Sequence, residues 1–188
     1  MRFPCKARLM VIWAIVLLGA NALAPTPGLC VAGTSANSEY QVKAAFLFNF
    51  ARFVEWPARK FPQQDSPLIV GLVGADPFQG MLEEAIQDRR VNERRLVVRH
   101  ITSNAELRKC HLLFVSRSER DRLGPILSEV RGENVLTVGE TDKFVTRGGI
   151  INFVMIDNNV RFQINERAAK HAGLKISSKL LQLAVTDQ

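Results

Sequence analysis

Short apolar runs alternate along the chain with polar stretches rich in capping and turn residues, and this rhythm predicts the elements one at a time. Val42, Ala45, Phe46, Phe50, Phe53 and Val54 recur at three- and four-residue spacing, which predicts a helix with one apolar face against a core. Ser38-Glu39-Tyr40-Gln41 has the form of a capping box and sets the expected start; Trp56-Pro57 sets the end, because proline disfavours helix at the residue before it. Leu68 to Val73 (LIVGLV) is apolar throughout and bounded by turn residues, as a strand covered on both faces should be. Asp76 then offers a cap and Pro77 a first helical position, predicting a helix over Phe78 to Gln87 with Met81, Leu82, Ala85 and Ile86 inward.

The unit of strand, turn and helix recurs. Arg95 to Ile101 reads as a strand, Ser103 to Glu106 as one capped helical turn, and His111 to Val115 as a buried strand. Ser116-Arg117-Ser118-Glu119 forms another capping box, predicting a helix to about Val130 with Leu123, Ile126, Leu127 and Val130 inward. Val135 to Val138 is a further short strand. Strands that alternate with helices pair in parallel, since a parallel return needs a crossover.

The last third differs. Asp142 to Thr146 reads as a helical turn, and Gly148-Gly149 opens the chain before a strand over Ile150 to Ile156. Asp157-Asn158-Asn159 supplies turn chemistry and Val160 to Ile164 alternates, which predicts an antiparallel hairpin. Asn165 caps a helix to Ala172, Gly173 suits a left-handed exit, and Ser177 or Ser178 starts a final helix with Leu180, Leu181, Leu183 and Ala184. The expected fold is α/β: one three-layer domain, a mostly parallel sheet with a C-terminal antiparallel hairpin, and helices on both faces.

The first 32 residues stand outside this scheme. Arg2, Lys6 and Arg8 precede a 12-residue apolar run, Leu9 to Ala20, followed by small residues and prolines. That is the layout of a secretory signal, and the run falls short of the ~20 residues needed to span a bilayer as a helix. Ala22-Leu23-Ala24, Cys30-Val31-Ala32 and Thr34-Ser35-Ala36 are the candidate exits; the second is preferred, giving a signal over 1–32 and a domain over 33–188. Pro27-Gly28-Leu29 before Cys30 fits a lipidation box poorly. The expected location is the periplasm.

Composition changes the picture little: 188 residues at 47% hydrophobic and 23% charged suit one globular domain and exclude a disordered or collagen-like chain. Loss of the three basic residues of the signal would lower the formal charge from +7 to +4. Arg89, Arg90, Arg94, Arg95 and Arg99 are interrupted by Glu93 and have no aromatic among them, so they read as a solvated face and no nucleic acid is expected. Only Cys110 of the three cysteines would survive export, either buried beside the strand that follows it or paired with another chain.

Chemistry is sparse. His100, His111 and His171 fall in no metal-binding spacing, and no metal or cofactor is expected. Ser116 follows a buried strand as a nucleophile would, yet it lacks the flanking glycines of a nucleophile elbow. Gly71, Gly74 and Gly80 do not make a dinucleotide pattern, and Glu83-Glu84 point apart on their helix, so no catalytic residue is expected.

Five segments in order resemble the YfiR family of periplasmic regulators: Lys43 to Pro57 (KAAFLFNFARFVEWP), Val70 to Phe78 (VGLVGADPF), Cys110 to Glu119 (CHLLFVSRSE), Leu136 to Phe153 (LTVGETDKFVTRGGIINF) and Val160 to Ala184 (VRFQINERAAKHAGLKISSKLLQLA). The resemblance implies a non-enzymatic repressor that docks on the periplasmic sensor domain of an inner-membrane diguanylate cyclase and lowers cyclic di-GMP signalling and biofilm formation. It also implies an outer-membrane, peptidoglycan-binding lipoprotein as a competing partner. A homodimer is a further expected assembly. Family members commonly pair a cysteine of the first strand with the one at Cys110; this chain has none in Leu68 to Val73, which leaves Cys110 as the redox candidate. The candidate partner-binding residues are Phe48 and Trp56, left over once the core stripe is assigned, with filling of a second core edge as the alternative for both; Gly148, Gly149 and the final helix are candidates on proximity alone. The alternative is a periplasmic small-ligand binder, acting with a sensor kinase or outer-membrane receptor, that uses the strand ends near Gly74 to Pro77 and Ser116.

Overall fold

A computed structural model of the chain describes residues 33–185; the expected signal segment lies outside them. Helix α1 (Gly33–Phe53) leads into a two-residue strand β1 (Val54–Glu55), and after a single 3-10 turn the central strand β2 (Leu68–Val73) follows. The chain continues through α2 (Met81–Ile86), β3 (Arg90–Val91), β4 (Arg94–Ile101), α3 (Asn104–Leu107) and β5 (Leu112–Val115). Then come α4 (Leu123–Glu129), β6 (Leu136–Gly139), the hairpin β7 (Ile151–Ile156) and β8 (Asn159–Ile164), α5 (Glu166–His171), β9 (Lys175–Ile176) and α6 (Ser178–Leu181).

The main sheet has the order β3-β4-β2-β5-β6-β7-β8. Strands β4, β2, β5, β6 and β7 are mutually parallel, β3 and β8 run antiparallel at the edges. Its parallel part has the doubly wound order 2-1-3-4-5, whose direction reverses between β2 and β5. Side chains alternate across the sheet, as the period of two requires. Leu68, Val70, Leu72, Leu112, Phe114, Leu136 and Val138 face α1 and α2, with Ala169 of α5 and Leu180 of α6 in the same core. Val73, Ile101, Leu113 and Val115 face Leu107 of α3 and Leu123, Ile126 and Leu127 of α4. Helices on both faces, a mostly parallel sheet and an antiparallel hairpin match the expected fold.

Three local expectations need correction. Helix α1 starts at Gly33, so Ser38 lies inside it and does not cap it. Helix α2 starts at Met81, because Gln79 (φ 51) and Gly80 (φ 90) are left-handed; Asp76 Oδ1 accepts from the Phe78 amide at 2.8 Å and closes a turn instead. The expected helix from Ser116 is a 3-10 turn over Arg117–Glu119 and only then α4, and Ser118 is spent elsewhere, its Oγ accepting from the Ala75 amide at 2.9 Å. Two features have no counterpart in the apolar pattern: β1 pairs β9 (Val54↔Ile176, Glu55↔Lys175), and β3 forms a hairpin on β4 through left-handed Asn92 and Glu93.

Candidate functional site

Helix α1 is turned from its expected setting. Its buried face runs through Lys43, Ala44, Leu47, Phe48, Phe50 and Ala51, while Val42 is 44% exposed. Phe46 and Phe50 still reach the hairpin, Phe50 lying 5.0 Å from the Phe162 ring and 5.6 Å from that of Phe153. The rotation places Phe48 in the core at 7% exposure, with the Arg89 guanidinium 4.7 Å from its ring centroid. Phe48 is therefore not an exposed anchor: α1 packs against α2, and Arg89 closes over the ring.

What turns the helix is Lys43. Its side chain is 2% exposed, and its ammonium is held by Glu39 Oε1 at 2.5 Å and Glu140 Oε2 at 2.6 Å. Glu140 follows β6 directly, and its carboxylate also accepts from the Tyr40 hydroxyl at 3.2 Å and the Arg117 amide at 3.4 Å. Burial first, and the Glu140 carboxylate second, push the Tyr40 phenol up to about 12, so it stays a donor at any physiological pH. One buried carboxylate thus ties α1 to the C-terminal ends of β5 and β6. Sequence periodicity missed this because the partners are 97 residues apart; the available signal was a lysine among apolar neighbours and a glutamate directly after an apolar strand.

At the opposite end of the sheet Trp56 leaves α1 half-buried and donates its indole N–H to the His111 carbonyl at 3.0 Å. The His111 ring accepts from the Ile69 amide through Nδ1 at 3.0 Å and is stacked by Phe61 at 4.4 Å and 19°. The Arg94 guanidinium lies over the Phe61 ring at 3.9 Å. Burial, reinforced by the nearby Lys60 charge, lowers the imidazole to about 4, and its Nε2 makes no hydrogen bond among the described residues. His111 is therefore neutral and structural. His100 sits exposed toward the far end of β4, level with Leu72, so the two histidines do not converge.

Cys110 is 1% exposed, its thiol donating to the Glu106 carbonyl at 3.5 Å. Burial pushes the thiol up to about 11, which leaves no useful thiolate near neutral pH. The Sγ occupies the space that a side chain at Gly71 of β2 would fill. Of the two expectations for Cys110, burial is the one observed.

Gly148 and Gly149 do different jobs. Gly149 is buried, and a Cβ there would collide with the Phe144 ring, which Gly139 abuts on its other side. Gly148 is exposed, takes φ +102, and has no atom within 4 Å of where a Cβ would stand. The crevice at Gly74 is closed: the Ser118 hydroxyl and the Glu119 stem fill the space beside Gly74, and Ser116 has ordinary extended backbone (φ −64, ψ 153). The open volume at this end lies one strand over, a polar cavity of about 390 Å³ lined by Arg117, Arg120, Glu140 and Thr141 among others.

A family model described as YfiR/HmsC-like matches residues 40–185. No curated protein matches the chain. Among solved structures, a conserved domain protein from Vibrio cholerae O1 biovar El Tor superposes with a TM-score of 0.49 at 12% identity, covering 64% of this chain and 55% of that one. An ABC domain in complex with L-Trp from Streptococcus pneumoniae gives 0.50 at 11% identity, covering 78% of this chain and 59% of that one. The chain spans less than two thirds of either, and the second likeness extends to the α/β fold alone.

Proposed function

The chain belongs to the YfiR/HmsC-like family, and from that premise we propose that it is a periplasmic regulator of cyclic di-GMP signalling that makes and breaks no bond itself. In this reading it represses an inner-membrane diguanylate cyclase by docking on the cyclase's periplasmic sensor domain, and an outer-membrane peptidoglycan-binding lipoprotein competes for it. The observation that carries the reading is the family match, which spans all of the sheet, α1 from Tyr40 onward and every later helix. Repression needs only that the chain bind the inactive state of the cyclase more tightly than the active one. Because Phe48 and Gly149 are buried, the contact is assigned to the accessible part of Trp56 and to the turn at Gly148, with the wider surface and a homodimer as parts of the same proposal.

The test has two arms. Deleting the coding sequence raises cellular cyclic di-GMP, and the purified chain binds the purified sensor domain by calorimetry; a flat nucleotide level together with no heat of binding overturns the proposal. Within it, Trp56→Phe keeps the aromatic packing but removes the bond to His111, while Trp56→Ala also removes the accessible surface. Weaker capture in the second only, at matched thermal stability, assigns contact to Trp56.

A further inference from the structure

Between α4 and α5 lies a cavity of about 350 Å³, at the small end of the usual range for ligand pockets (~300–1,000 Å³). Its floor is apolar, formed by Leu127 and Val130 of α4, Val135, Ile150, and Ala168 of α5. Its rim is cationic: Arg131, Arg147 and Arg167 line it together with His171, and no aspartate or glutamate does. Among the described residues none of these three guanidiniums has a carboxylate within ion-pair distance, whereas Arg108, Arg120 and Arg122 all do.

The polar groups of the floor are already committed. Thr137 Oγ1 accepts from the Ile150 amide at 3.0 Å, and Asn165 donates through Nδ2 to the Val145 carbonyl at 2.8 Å while its Oδ1 accepts from the Ala168 amide at 2.9 Å. Recognition is therefore left to the rim. Arg147 is steadied there by its bond to the Arg120 carbonyl at 3.3 Å. Gly148, whose left-handed φ disfavours other residues, also lines the cavity and leaves its mouth free of a side chain.

We infer that this cavity binds a small organic anion with an apolar body, such as a short-chain or aromatic carboxylate, whose charged head meets the arginine rim while its body covers the apolar floor. Neither part alone suffices. A free inorganic anion at an exposed rim would be outcompeted by water and screened by salt, and an apolar molecule would leave the guanidiniums unpaired. The cavity lies away from Trp56 and shares only Gly148 with the proposed docking surface, and the inference does not depend on the docking reading.

The test is calorimetric titration of the purified chain with three probes: octanoate, 1-octanol with the same body and no charge, and inorganic phosphate with charge and no body. Octanoate should bind saturably, with the other two at least about tenfold weaker, as the loss of a charge-assisted contact or of a buried chain implies. The exposed pair Arg131→Gln and Arg167→Gln should weaken octanoate by about tenfold or more, and Ala168→Leu, which fills the floor, should weaken it by narrowing the space. Octanol binding as tightly as octanoate, phosphate doing so, undiminished binding in the variants, or no saturable octanoate binding each overturns the inference. Since no partner protein is present, a chain that binds octanoate but no cyclase, or the reverse, separates this inference from the proposed function.

Discussion

Two ionisable groups are buried at opposite ends of one parallel sheet, and the chain treats them in opposite ways. At the C-terminal ends of the strands Glu140 is ion-paired with Lys43 and also accepts from the Tyr40 hydroxyl and the Arg117 amide. At the N-terminal ends His111 gives its charge up, because it is buried and its neighbours, the Phe61 ring and the Lys60 ammonium, offer no counter-ion. Ion pairing fixes the first end in one geometry; neutralisation lets the second pack almost as an aromatic ring. The difference lies in what the chain can lose: one end depends on a partner, the other on pH.

The largest expected effect comes from removing the partner. Lys43→Met leaves Glu140 buried with a neutral phenol and one amide, and should cost about 3–5 kcal/mol in urea unfolding. The double variant Lys43→Met/Glu140→Met should recover most of that loss, since well-packed apolar replacements of a buried pair are often neutral or better. A double variant no more stable than the single one would show that the pair matters for something other than charge balance.

The second effect is the pH response of the other end. His111 is depressed to about 4 from an ordinary value near 6.5, so the unfolded chain takes up its proton first as pH falls. The stability held above pH 6.5 is then lost progressively as pH drops toward 4, by up to about 2–3 kcal/mol. His111→Asn retains an acceptor for the Ile69 amide and should flatten the unfolding free energy across that window relative to the parent chain. An unchanged slope would place the acid sensitivity in other groups.

The smallest effect sharpens the first. Tyr40→Phe removes one donor from Glu140 while Lys43 stays in place, and should cost about 1–2 kcal/mol; a loss as large as that of Lys43→Met would make the phenol, not the ammonium, the main support of the carboxylate.

The central strands β2, β5 and β6 were legible because each is a short apolar run between turn residues, and a sheet covered on both faces requires that signal. The hairpin was legible from Asp157 and Asn158, which do take the left-handed backbone that a two-residue turn needs. The setting of α1 was not. Two apolar stripes compete on that helix, one through Val42 and Phe46 and one through Leu47 and Phe48, and the choice between them rests on a lysine whose partner is far along the chain. The pairing of β1 with β9 was hidden for a related reason: two residues a side carry no periodicity, and the contact forms only after α5 has brought Lys175 back to the end of α1. Of the candidate positions, Trp56 is half-buried and Gly148 exposed, whereas Phe48 and Gly149 serve packing; the apolar pattern could not separate them, because Gly148 and Gly149 are chosen on proximity alone and Phe48 and Trp56 as residues left over from one stripe.

The fit between Gly71 and Cys110 bears on how this regulator can be addressed. Where two sulfurs would bridge neighbouring strands, this chain sets one sulfur against a bare α-carbon, so the volume is filled and no covalent tie is made. Electron donors and acceptors in the surrounding medium therefore find no bond in residues 33–185 to cut or restore.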